Sequence, residues 1–180
     1  DFVRTIRRFK IRGSSGKVNL ALSELPDFTC LPGPGPHLRG AISISPNVEY
    51  LERAYDDAKY GAFSRRPYMD IIIPSMIDPG MAPPGKHVMS IFVQYAPSDL
   101  NGGWDETKRE AFGDAVVDTL AQYAPNLPGA ILHRQVLTPW DIDRVMGLTD
   151  GNIFHGELTL QQLFCLRPAV GWADFTTPLA

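Results

Sequence analysis

The most regular alternation of apolar and polar residues in this chain runs from His87 to Tyr95. Met89, Ile91, Val93 and Tyr95 fall on one side, and Val88, Ser90, Phe92 and Gln94 on the other. A period of two predicts a strand, and the first of these sides is strongly apolar. Lys17–Ser23 alternates in the same way, with Val18, Leu20 and Leu22 opposed to Lys17, Asn19 and Ala21. Tyr68–Pro74 is an Ile-rich run bounded by Pro67 and Pro74, the pattern of a buried strand. Ala130–Leu137 is a further strand, and Ala41–Ser45 a brief apolar run. Residues 2–11 mix Phe2, Val3, Ile6, Phe9 and Ile11 with Arg4, Arg7, Arg8 and Lys10 in neither period. They are assigned an extended strand ending near Gly13, followed by a turn over Gly13–Gly16.

Three segments follow the helical period. Val48, Leu51, Ala54, Tyr55 and Ala58 share one face of a helix that Asn47 or Ser45 can cap and Gly61 can end. Phe112, Val116, Leu120 and Tyr123 mark a helix over Trp104–Tyr123, with Asp105 and Glu106 at its positive end and Pro125 as its stop. Thr138 as cap and Pro139 in the first turn open a short helix that runs to Met146 and stops at Gly147. The expected class is α+β: a mixed, mostly antiparallel sheet with helices on one face. It occupies 1–146, and 147–180 forms a separate segment.

Composition removes several classes of function. Apolar residues make up 44% and charged residues 21%, which suits an ordinary globular core. A net charge of −3 gives no general attraction to nucleic acid, and no apolar run approaches the roughly 18 residues of a membrane span. Cys30 and Cys165 are far apart and form no CxxC pair, which points to a reducing compartment and not to a disulfide scaffold. The four histidines are scattered, and no PCxxC follows His155-Gly156-Glu157, so no metal site is expected. Gly33-Pro34-Gly35 starts like a dinucleotide turn, but Leu38 takes the third glycine position and proline supplies no N–H donor. The basic residues Arg4, Arg7, Arg8, Lys10 and Arg12 are assigned to a solvated face.

The segment 147–172 is different. Gly-containing turns flank Asn152-Ile153-Phe154-His155, and an amphipathic stretch ends in Arg167-Pro168. Small residues let a backbone approach a planar ligand closely, and Asn152, His155 and Gln161 are polar groups that can orient one. The same residues also suit a Gly-rich loop leading into a helix.

KVNLALSELPDF at 17–28, GPHLRGAISISPNVEYLERAYDDAKYG at 35–61, RRPYMDIIIPSMIDPGMAPPGKHVMSIFVQYAP at 65–97 and GNIFHGELTLQQLF at 151–164 resemble, in the same order, the phytoene-dehydrogenase-like, amine-oxidase-like family of FAD-dependent oxidoreductases. The likeness is to the branch of pyridine nucleotide-disulphide oxidoreductase domain-containing proteins. Two positions depart from the family pattern: Asp150 stands where a glycine is expected, and Gln161 where an acidic residue is expected.

The resemblance implies a substrate-binding domain inserted into a split Rossmann-type flavoprotein. It further implies that the FAD-binding segments of the same polypeptide lie outside this chain, which is then a fragment. FAD is expected in the full-length parent, and none bound to this chain alone. The parent would pass hydride between a hydrophobic small molecule and flavin. By the same resemblance, Gly151, Asn152 and Gly156 approach the cofactor, and His155 is the titratable candidate for catalysis. Leu20, Leu22, Ile91 and Val93 are candidate substrate linings. The competing expectation is a non-catalytic binding or protein-interaction module. Apolar surface left bare without the flavin domain would drive homo-oligomer formation. The implied compartment is cytoplasmic in a bacterium, with a mitochondrial location open in a eukaryote.

Overall fold

A computed structural model describes residues 2–167. A short helix, α1 (Phe2–Arg7), leads through an extended stretch to strand β1 (Ser15–Leu22). Then come β2 (Ile42–Ile44), α2 (Val48–Lys59), β3 (Tyr68–Ile72) and β4 (His87–Gln94). The chain continues through α3 (Glu106–Ala121), α4 (Leu127–Ala130), β5 (Ile131–Leu137) and α5 (Pro139–Met146). The strands form one sheet in the order β2-β3-β4-β1-β5, and every pairing is antiparallel. The α+β expectation holds, at the fully antiparallel end of the range it allowed.

Register gives the sheet two chemically distinct faces. Val18 stands opposite Ile91 and Leu20 opposite Met89, while Met69 and Ile71 stand opposite Val93 and Ile91. These side chains are at most 1% exposed, and Phe112, Val116 and Leu120 of α3 belong to the same core. Gly113 lets the helix settle this low: a Cβ there would lie 2.6 Å from Val136 Cγ2. On α3, Asp105 caps the first turn by accepting from the Lys108 amide at 2.8 Å. On α5, Thr138 and Asp141 form a reciprocal capping box. Asp141 also accepts from Arg109 Nη1 at 3.0 Å, which ties α5 to α3.

Three local expectations are corrected. Residues 2–7 are helical and not extended; both neighbours of β1 are already occupied, and Arg4 and Arg7 in the last turn suit the negative end of a helix. Gly13–Gly16 is not a turn. Ser15 and Gly16 already pair with Gln94 and Val93, and the Ser14 and Gly13 carbonyls accept from Ala96 and Ser98 at 2.9 Å. The buried stripe of α2 is rotated from the one expected. Ala54 is buried as expected, but Val48 is 73% exposed and Tyr50, outside the expected stripe, packs against the core. The Tyr50 hydroxyl donates to the Pro67 carbonyl at 2.8 Å, and burial pushes its pKa up to about 12.

Candidate functional site

The face of the sheet opposite α3 has no helix over it among the described residues, and the pairing lays its side chains out in rows. One row crosses all five strands: Ser43, Asp70, Phe92, Lys17 and Leu137. The next holds Ile72, Ser90, Asn19 and Gln135, and a third Val88, Ala21 and His133. All of these are half-buried or exposed. Polar groups on this face are organised in pairs. Lys17 Nζ donates to Ser90 Oγ at 2.7 Å, and Asn19 Nδ2 to Gln135 Oε1 at 3.0 Å. The Asp70 carboxylate accepts from the Tyr68 hydroxyl at 2.5 Å and from Ser43 Oγ. That bond to Asp70 is the main cause of a raised Tyr68 pKa, so the phenol stays a donor. Phe92 lies between the Asp70 cluster and Lys17, an apolar plate between an acidic and a basic end.

The strand residues expected to line a substrate cavity stand on the other face. Leu20, Leu22, Ile91 and Val93 are 0–1% exposed within the helix-covered core. Phe92, Lys17 and Asp70 were not singled out as site residues. Their signal was present in the alternation, as the less apolar side of each strand.

The loop 151–156 is built as a clasp. Asn152 Oδ1 accepts from the amides of Phe154 at 2.9 Å and Gly156 at 3.2 Å, while its Nδ2 donates to the Arg12 carbonyl at 2.9 Å. Gly151 has φ +64, and a Cβ there would meet the Pro139 backbone at 2.4 Å. At Gly156, φ +138, a Cβ would meet the Phe9 ring at 2.4 Å. Asp150, where a glycine was expected, takes φ 53, a left-handed conformation that Asp tolerates better than most residues.

Gln162 completes the clasp. It is buried, its Oε1 accepts from the Lys10 amide at 2.7 Å and its Nε2 donates to the Lys10 carbonyl at 2.8 Å. Its neighbour Gln161, the one singled out from sequence, is exposed. Glu157 binds Arg12 at 3.1 Å, and that bond is the first cause of a raised Arg12 pKa. Residues 10–14 and 151–162 thus run side by side, with both Gly151 and Asn152 committed to the chain's own contacts. His155 is exposed, with φ 55.

The described part of the loop does not fit a flavin cradle by itself: its glycines are filled by Pro139 and Phe9, and the Asn152 side chain is fully engaged. Ile153, Phe154, Leu158, Leu160 and Phe164 are exposed beside it. Pro168, the last residue of the amphipathic stretch, and residues 169–180 lie outside the described residues. Among the described residues no group of His, Cys, Asp and Glu is arranged to hold a metal ion, and no helix is long and apolar enough to cross a membrane.

No family model matches the chain. Over an alignment of 186 residues it is 40% identical to the pyridine nucleotide-disulfide oxidoreductase domain-containing protein 2 of Rattus norvegicus, covering 99% of this chain and 32% of that protein. The protein of the same name in Mus musculus is 39% identical over the same alignment length and coverage. The chain is therefore a relative of these proteins along nearly its whole length, as the resemblance implied. It spans about a third of the length of the curated relatives it matches. Their shared name is that of an oxidoreductase class and specifies no substrate.

Proposed function

We propose that this chain is the substrate-side module of a flavin-dependent oxidoreductase, and that its uncovered sheet face forms one wall of the substrate cavity. The observation that carries the reading is the asymmetry of the sheet: one face is sealed by α3, and the other presents paired polar groups around Phe92. Phe92 is a half-buried aromatic held between two ordered polar clusters, an arrangement of apolar body and flanking polar groups that suits a ligand-binding wall. The side-by-side course of residues 10–14 and 151–162 supports insertion, because an inserted domain must leave near the point where it entered.

On this reading the nucleotide-holding fold is supplied by polypeptide outside the chain, and flavin supplies the redox chemistry. The chain's own residues bind and orient. Phe92, Val88, Ile72 and Leu137 offer apolar contact to a hydrophobic body, and the Tyr68 hydroxyl, its proton committed to Asp70, offers an acceptor oxygen.

The test needs no substrate. Ser90→Cys is introduced with Cys30 and Cys165 both replaced by Ser, and thiol labelling is timed in the chain alone and in the full-length polypeptide. The expected result is labelling at least ten times slower in the full-length protein, together with a flavin absorbance spectrum there. Equal labelling rates, or a full-length protein without flavin, would overturn the reading.

A further inference from the structure

Lys17 is the only lysine or arginine on the uncovered face of the five strands. It is half-buried, and no carboxylate among the described residues lies within salt-bridge distance of it. Three other half-buried cations are matched, while Arg167 donates to the Phe154 carbonyl and lies over the Phe9 ring. Arg109 pairs with Glu106 and Asp141, Arg134 with Glu110 and Asp114, and Lys108 with Asp105. The Lys17 ammonium, with three donors to place, donates to a neutral hydroxyl, Ser90 Oγ. Asp70 lies in the same row but two strands away, about 10 Å at the spacing of adjacent strands. An ammonium with no carboxylate partner retains donors and charge for a bound anion, to which its hydrogen bonds would be charge-assisted.

We infer that the uncovered face recognises an amphipathic carboxylate, with the acid group on Lys17 and Ser90 and the apolar body laid across Phe92 toward Tyr68 and Asp70. The inference rests on the substrate-wall reading above and narrows it to a ligand class. One ammonium and one hydroxyl suit a single negative charge; a phosphate dianion would call for a second cation beside Lys17, and the strands present no second lysine or arginine on this face. The order of the row sets the polarity of the ligand. A carboxylate is repelled from the Asp70 end and drawn to the Lys17 end, and Phe92 fills the distance between them. The length follows from the same geometry: about 10 Å from Lys17 to Asp70 is the reach of an extended chain of roughly eight carbons.

The experiment measures binding of octanoate and of octanol to the full-length protein by titration calorimetry, for the wild type, Lys17→Gln and Lys17→Arg. Octanoate is expected to bind the wild type and Lys17→Arg, and to bind Lys17→Gln at least ten times more weakly, while octanol binds all three alike. Octanoate that fails to bind the wild type, or binds Lys17→Gln equally well, overturns the inference. The Ser90→Cys labelling experiment separates the two readings. Slow labelling in the full-length protein with no Lys17 dependence would keep the cavity wall and remove the carboxylate; fast labelling would remove the wall itself.

Discussion

At the scale of single residues, the loop 151–156 shows why a sequence pattern can locate a site and leave its role open. Small and polar residues gathered at Gly151, Asn152 and Gly156 mark a place where something approaches the backbone closely. Spacing along the chain does not reveal that the approaching groups are Pro139, Phe9 and the Arg12 carbonyl, the last 140 positions away. Asp150 was visible in sequence as a departure from pattern, and its left-handed backbone gives the physical reason a glycine would suit that position. Asn152 carries the clasp, because its side chain satisfies two loop amides and one distant carbonyl. Asn152→Ala leaves those groups without their partner and is expected to lower stability by about 1–3 kcal/mol. Urea unfolding of the two proteins measures this directly; equal midpoints and slopes would show that the loop is held in some other way.

At the scale of elements, legibility followed the strength of the local signal. The helix α5 was readable at both ends, since Thr138, Pro139 and Gly147 are each local determinants, and the structure has them as cap, first turn and left-handed stop; the part of Asp141 in the capping box was not read. The helix α2 was readable in extent but not in rotation. Val48 has the right period and the right character for burial, yet Tyr50 is turned inward because its hydroxyl finds the Pro67 carbonyl just before β3.

That clamp carries a pH signature. Tyr50 titrates near 10 in an unfolded chain and at about 12 here, chiefly through burial. A raised pKa means that the folded state favours the neutral phenol. Its contribution is constant below about pH 10 and declines as pH rises toward the folded value. Tyr50→Phe removes the titration and the hydrogen bond together. The stability gap between wild type and Tyr50→Phe is therefore expected to be steady up to about pH 9.5 and to narrow by pH 11.5, read by urea unfolding across that range. A gap of constant size would mean that the phenol titrates normally in the folded protein.

At the scale of the whole molecule, the division of the sheet into two faces was written in the alternation of β1 and β4, but the assignment of function to faces was not. A hydrophobic core and an apolar cavity ask for the same residue types, so Leu20, Leu22, Ile91 and Val93 fit either. Only the position of α3, set by long-range packing of Phe112, Val116 and Leu120, decides which face is sealed. The consequence is a separation of effects across a single sheet. Leu20→Ala, in a site 1% exposed beneath the helix, is expected to cost about 2–5 kcal/mol of stability. Phe92→Ala lies on the adjacent strand and points the other way. It removes a half-buried ring with no helix packed over it among the described residues, and is expected to cost no more than about 1 kcal/mol in the chain alone. In the full-length polypeptide, where the proposed cavity closes over the open face, the order of effects on ligand binding should reverse. Phe92→Ala then weakens octanoate binding, while Leu20→Ala, once folded, leaves it unchanged. Chemical denaturation of the chain and calorimetry of the full-length protein supply the two halves of that comparison. A Phe92→Ala chain as unstable as Leu20→Ala would mean that both faces are core, and that the uncovered face is packed in a way the sheet's own helices do not provide.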